Sequence, residues 1–185
     1  RIGPEGTFLA AINFVNRGVI ENDGNIVFPY TRSTVMLNGG EYSSVGEPCR
    51  VTNRGTIDFG GTDPSSSGIL ENSGTITGIT RLILSGKTDI TGGTITANST
   101  GSVLELHYGA SVTISGGTIT QESASGHAIG WSGGTDGTLS VTGGEVRAKA
   151  PSLLWYNADV TDEKGYQALE MADGYYYLVK KEENP

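Results

Sequence analysis

Apolar and polar residues alternate in short runs along this chain, and glycine punctuates the runs. The recurring unit is a β-branched or apolar residue, one polar residue, Gly-Gly, one polar residue, then Ile, Val or Tyr. It reads Leu37-Asn38-Gly39-Gly40-Glu41-Tyr42, Ile90-Thr91-Gly92-Gly93-Thr94-Ile95, Ile114-Ser115-Gly116-Gly117-Thr118-Ile119 and Val141-Thr142-Gly143-Gly144-Glu145-Val146. A related form begins with Asn, as Asn53-Arg54-Gly55-Thr56-Ile57 and Asn72-Ser73-Gly74-Thr75-Ile76. Two more such runs are Asn16-Arg17-Gly18-Val19-Ile20 and Asn22-Asp23-Gly24-Asn25-Ile26. Period-two alternation puts one face of each run in a core and the other in solvent. Gly-Gly pairs and Asn-x-Gly triplets supply the positive-φ geometry that bends one strand into the next.

The second glycines of these units fall at Gly40, Gly55, Gly74, Gly93, Gly117 and Gly144, and the intervals range from 15 to 27 residues. Intervals near 20 residues belong to stacked repeat architectures. A two-residue glycine corner also suits an antiparallel hairpin, so the rival arrangement is an antiparallel sandwich or barrel. Three short strands per interval favour stacking. The expected fold is all-β, a right-handed parallel β-helix. One coil shows the layout: a strand at 103–107, a corner at 108–110, a strand at 111–115, the Gly116-Gly117 corner, a strand at 118–120 and a loop at 122–126, with the next coil starting at His127.

The two ends depart from the repeat, as a stack with exposed end coils requires. Residues 1–18 read as a capping segment with a short helix. Phe8, Ala11, Ile12 and Val15 share one helical face, Thr7 is placed to cap it and Gly18 to end it. Residues 19–160 are the coils. Residues 161–185 are a capping hairpin and a polar tail, the hairpin formed by 166–171 and 175–179 around Ala172-Asp173-Gly174.

Composition agrees with a β chain, with 29 Gly and abundant Thr, Ile and Val. The net charge of −8 repels phosphate backbones and anionic lipid, so no nucleic-acid partner and no membrane insertion is expected. Cys49 is the lone cysteine, so neither an intrachain disulfide nor a cysteine-based zinc site is expected. The chain opens at Arg1 without Met, which reads as a segment of a longer polypeptide.

Three stretches carry a resemblance to a known group. They are Arg1-Ile2-Gly3 with Phe8-Leu9-Ala10-Ala11-Ile12, the Ile-Ser-Gly-Gly-Thr-Ile-Thr run at Ile114 to Thr120, and Asp173-Gly174-Tyr175-Tyr176-Tyr177-Leu178. The chain resembles the right-handed β-helix segments of pectate-lyase-like proteins. More narrowly, it resembles the large modular surface proteins of gut-dwelling Gram-positive bacteria. The resemblance implies an extracellular, cell-surface or wall-attached module beside other domains. It implies no reaction, because a fold does not carry a function with it.

Motifs for chemistry are sparse. Pectin-cleaving relatives use clustered aspartates or a Gly-His-Gly element, and Gly126-His127-Ala128 is only a partial echo. Asp58, Asp63, Glu71, Glu105, Glu122, Asp136 and Glu145 are candidate carboxylates for glycoside hydrolysis, but they are scattered. Asp159, Asp162 and Glu163 lie close together without a calcium-loop motif, so neither a metal nor a cofactor is expected. Thr-x-Thr recurs at Thr75 and Thr77, Thr94 and Thr96, and Thr118 and Thr120. Stacked, these would give two rows like those of ice-binding β-helices, interrupted by Asp58, Glu145 and Arg147. His107, Trp131 and Trp155 are evenly spaced by 24 residues, with Tyr108 and Tyr156 beside them. This spacing predicts an aromatic ladder for sugar rings or a protein partner if it faces outward, and core stacking if it faces inward.

The sequence therefore reads as a non-catalytic binding or structural module of a bacterial surface protein. Its partner would be a host glycan or a host protein, such as a mucin-like glycoprotein or an immunoglobulin. The alternatives are a lyase or hydrolase acting on acidic polysaccharide, and a passive spacer.

Overall fold

The computed structural model describes residues 1–10, 13–29, 35–38, 49–132, 137–151, 153–155 and 166–180, apart from the side chains of Asn38 and Trp155. The chain is all β. Its strands are β1 (Thr7–Leu9), β2 (Phe14–Val15), β3 (Val19–Asn22), β4 (Asn25–Val27), β5 (Val35–Asn38), β6 (Arg50–Asn53), β7 (Thr56–Thr62), β8 (Ser65–Ser66), β9 (Ile69–Asn72) and β10 (Thr75–Ile79). They continue with β11 (Leu82–Leu84), β12 (Lys87–Ala97), β13 (Ser102–Leu106), β14 (Ser111–Gln121), β15 (His127–Trp131), β16 (Thr138–Ala148), β17 (Leu154–Trp155), β18 (Tyr166–Glu170) and β19 (Tyr176–Lys180).

Two sheets form, of twelve and seven strands. The smaller runs β17-β15-β13-β11-β8-β5-β2. The larger contains two columns. β3, β6 and β9 pair in register and lead into the first parts of β12, β14 and β16. β1, β4, β7 and β10 do the same with the second parts of those strands. Pairing is parallel throughout the described residues, except where β19 meets β16 and β18.

Register puts like residues opposite like. Ile26, Ile57, Ile76, Ile95, Ile119 and Val146 face one another on successive strands, and all are buried. Burying one such side chain stabilises by about 1.5–3 kcal/mol, so this row is a major part of the core. Leu84, Leu106 and Trp131 form a second buried row.

The corner row explains why two forms of the repeat coexist. Asn22, Asn53 and Asn72 lie opposite one another and are fully buried. The Asn22 amide Nδ2 donates to Asn53 Oδ1 at 2.8 Å, and Asn53 Nδ2 donates to Asn72 Oδ1 at 2.7 Å. Asn72 Nδ2 closes its own corner on the Gly74 carbonyl at 3.0 Å. The next members of the row are Ile90, Ile114 and Val141, which begin the Gly-Gly corners. There the amide ladder gives way to aliphatic packing, and the backbone must turn unaided. The second glycine does this: Gly93 has φ +71 and Gly117 has φ +80. A Cβ on Gly93 would also overlap the Gly74 carbonyl oxygen beneath it. Gly39 and Gly40 lie outside the described residues.

The expected N-terminal helix is not formed. Thr7–Leu9 is strand β1, paired in parallel with Asn25–Val27. The edge of β4 offers main-chain groups that a strand can satisfy and a helix cannot, and this outweighs the weak helical periodicity. Asn13 has φ 61, which ends any right-handed helix at that point. Ala11 and Ile12 lie outside the described residues. At the other end, β18 and β19 form the antiparallel hairpin, turning through Gly174 at φ +79.

Two stability outcomes follow from the buried polar groups. Asn53→Ala strands Asn72 Oδ1 and removes a bond from Asn22, so denaturant unfolding should show a loss of about 2–4 kcal/mol; a loss below about 1 kcal/mol would contradict the ladder. Thr88 faces Leu70 and Val112 in the core, and its Oγ1 has no hydrogen-bond partner among the described residues. Thr88→Val should therefore raise stability by about 1 kcal/mol, whereas a lower melting temperature would show that the hydroxyl is satisfied.

Candidate functional site

The outward face of the first column carries the most concentrated polar chemistry. One position before each corner, Glu21, Thr52, Glu71, Asp89, Thr113 and Ser140 share a row. They are exposed or half-buried because their neighbours on either side point into the core. Adjacent members are about 4.8 Å apart along the stack. Corner residues Arg54, Ser73, Thr91 and Ser115 flank this row, and with its members Thr52, Glu71, Asp89 and Thr113 they line a shallow open groove of about 390 Å³.

Glu71 and Asp89 are neighbours in that groove, and each has its own cation. Glu71 Oε1 accepts from the Arg50 guanidinium, and its Oε2 accepts from Thr52 Oγ1 at 2.9 Å. Lys87 Nζ lies 2.8 Å from Asp89 Oδ2, and this contact pushes the Lys87 ammonium above its ordinary pKa. The groove therefore presents hydroxyls and carboxylates whose charge is locally balanced. Asp89 was not among the carboxylates singled out by the sequence, and the signal for it was present. Aligning Asn72 with Ile90 at the corner aligns Glu71 with Asp89.

The expected aromatic ladder does not form a surface. Leu106, not His107, lies opposite Trp131, and Gly130, not Trp131, lies opposite Trp155. The true repeat here is one residue longer than the spacing of the aromatics, and a one-residue slip sends a side chain to the other face. Trp131 is thus buried at 2% exposure, with its indole N–H donating to the Gly137 carbonyl at 3.0 Å. Tyr108 is 71% exposed at the β13–β14 corner. The Trp155 side chain and Tyr156 lie outside the described residues.

His107 belongs to a polar network instead. Its Nε2 lies 2.9 Å from Glu105 Oε1, and the buried Glu105 also accepts from Arg81 Nη1 at 3.0 Å. Arg81 reaches Asp63 at 3.0 Å as well. Glu105 is thus compensated by two partners, as a buried carboxylate must be.

The threonine rows are also rearranged. Thr56 joins Thr75, Thr94 and Thr118 in register, one member more than expected. The second row is broken, because a bulge at Gly78, with φ +66, takes Thr77 out of line with Thr96. Thr120 is buried beside Arg147. Asp58 accepts from the Gly60 amide at 3.0 Å and so braces its own turn. Glu145 is exposed, and Asp136, Asp159, Asp162 and Glu163 lie outside the described residues. Among the described residues no group of three or more His, Cys, Asp or Glu could hold a metal ion. No helix among them is long and apolar enough to cross a membrane.

Glu122 has a structural role. It accepts from Tyr175 Oη at 2.7 Å and sits 2.7 Å from Lys149 Nζ, so it ties the hairpin to the sheets. Arg147 lies over the Tyr175 ring at 4.7 Å. The Lys149 contact, then the Tyr175 bond, holds the Glu122 carboxyl below its ordinary pKa. The Tyr177 hydroxyl, then the Tyr175 amide, does the same for Asp173. A depressed carboxylate contributes stability above its unfolded pKa and loses it as pH falls through the folded value. Protection of the β18 and β19 amides, exchange taken relative to its intrinsic rate at each pH, should therefore fall on acidification below the ordinary carboxylate range, and Glu122→Gln should blunt that response. Protection that is flat through this range would contradict the tie.

Comparison with known protein families, curated proteins and solved structures finds no match to this chain.

Proposed function

We propose that this chain is a right-handed parallel β-helix acting as a non-catalytic glycan-binding module of an extracellular bacterial surface protein. The helical reading is supported by strand order. The chain visits the first column, the second column and the smaller sheet in turn, and each visit stacks in parallel on the one before. The functional reading rests on one observation, the groove lined by Thr52, Glu71, Asp89, Thr91, Thr113 and Ser115.

Hydroxyls and ion-paired carboxylates at regular intervals suit a polyhydroxylated chain laid along the stack. Carboxylate oxygens accept from sugar hydroxyls, and threonine and serine hydroxyls both donate and accept. The groove is open and shallow, which fits a polymer or a glycoprotein side chain better than an enclosed small molecule. The host glycan remains the favoured partner, and the site moves from the aromatics to this face.

Hydrolysis is a second reading, favoured by the side-by-side placement of Glu71 and Asp89, since paired carboxylates flank the scissile bond in glycosidases. Reducing-sugar release from acidic polysaccharide separates the two, because the binding reading expects none.

A glycan array followed by calorimetry tests the proposal. A hit should weaken about tenfold or more in Asp89→Asn, Glu71→Gln or Thr113→Ala, equivalent to about 1.4 kcal/mol or more per site. Tyr108→Ala should bind like the parent. Absence of any hit, or a hit indifferent to the groove variants, would remove the proposal.

A further inference from the structure

The groove on the first column is longer than it is wide. Thr52, Glu71, Asp89 and Thr113 are in register on successive strands, so its lining extends about 14 Å along the stack. Across the stack it reaches only from one residue to the next but one, as from Glu71 to Ser73, a span of about 7 Å. The four registered residues are half-buried and form a floor, while the corner residues are exposed and form one wall.

A ligand lying along this groove meets a polar floor group and a polar wall group at every rung, about 4.8 Å apart. That repeat selects for chain shape. A sugar chain with equatorial β-linkages is a straight ribbon that advances by nearly one rung per sugar and carries hydroxyls along both edges. An α-linked chain of the same sugar coils, so it leaves the floor after a short contact. No aromatic residue is in the lining. The grip is therefore on edge hydroxyls, not on ring faces.

Charge narrows the ligand further. Each charged residue of the lining has an opposite partner: Arg54 pairs with Asp23, Glu71 with Arg50 and Asp89 with Lys87. An anionic chain finds no free cation among these pairs, and the net charge of −8 repels it at longer range. A cationic chain has to compete with Arg50 and Lys87 for the two carboxylates. An uncharged chain meets neither cost, and the carboxylate and hydroxyl oxygens still accept from its hydroxyls.

We propose that the groove takes an uncharged, straight β-linked glycan along the stack axis, one sugar to each rung. Its sugars would lie over Thr52, Glu71, Asp89 and Thr113 in turn. This inference rests on the glycan-binding reading and narrows it to one class of chain.

Calorimetry on the whole chain with cello-oligosaccharides of two to six units tests the proposal, these being the simplest chains of the required shape. Kd should fall about tenfold with each added sugar up to the fourth and then level off. Malto-oligosaccharides contain the same sugar in α-linkage and should bind at least about tenfold more weakly at equal length. The cello series oxidised to carboxylates at its primary alcohols keeps the shape, adds charge, and should lose affinity as well. Thr113→Ala should lower the affinity for the four-sugar chain to that for three, and leave the three-sugar value unchanged, because three sugars still fit over the other rungs. A cello affinity indifferent to length, equal binding of the malto or oxidised series, or binding confined to other glycans would overturn this inference and leave glycan binding standing. No binding to any glycan would overturn both.

Discussion

In-register stacking of one strand on the next, at a spacing of about 4.8 Å, is the constraint on which the rest of this molecule depends. It forces the residue at a given position to accept its counterparts above and below. Identical residues satisfy that demand well when they are aliphatic, as in the row from Ile26 to Val146. They also satisfy it when each side chain both donates and accepts, as asparagine does at Asn22, Asn53 and Asn72. Glycine satisfies it wherever the corner brings backbones too close for a side chain. A Cβ on Gly55 would overlap the Gly24 carbonyl oxygen, and one on Gly74 the Gly55 oxygen. The same rule organises the surface. Because rows are continuous, outward residues of unrelated segments become neighbours, which is how Glu71 and Asp89 come to share a groove.

Much of this was legible in the sequence, and the reason is local. The strands on either side of Gly116-Gly117 and the corner at Gly109, with φ +78, lie where the alternation and the glycines put them. The hairpin at β18 and β19 was legible for the same reason. Its turn chemistry at Asp173-Gly174 is written in adjacent residues, and Asp173 Oδ1 accepts from the Tyr175 amide at 3.1 Å.

The misreadings share a different cause. Each concerned how one segment pairs with a distant one, which a local pattern does not fix. The aromatic spacing was read as a register, but the register from β13 to β15 is one residue longer, and Trp131 turned inward. The second threonine row was broken by a bulge at Gly78 that no pattern of Thr-x-Thr reveals. At the N-terminus, a helical pattern of Phe8, Ala11, Ile12 and Val15 competed with the unpaired edge of β4, and strand pairing won. Asp89 shows the converse. Counting back from the corner, rather than along the chain, places it beside Glu71. Corners are therefore the coordinate origin for reading a sequence of this kind.

Trans-hydrogen-bond scalar couplings measured by NMR test the stacking most directly. The account predicts couplings from the Thr56 amide to the Gly24 carbonyl, from Thr75 to Gly55 and from Thr94 to Gly74, the chain of bonds that runs through the corner row. An antiparallel sandwich would instead join each corner to its own flanking strand. Couplings confined within single hairpins, with none between successive corners, would contradict the account.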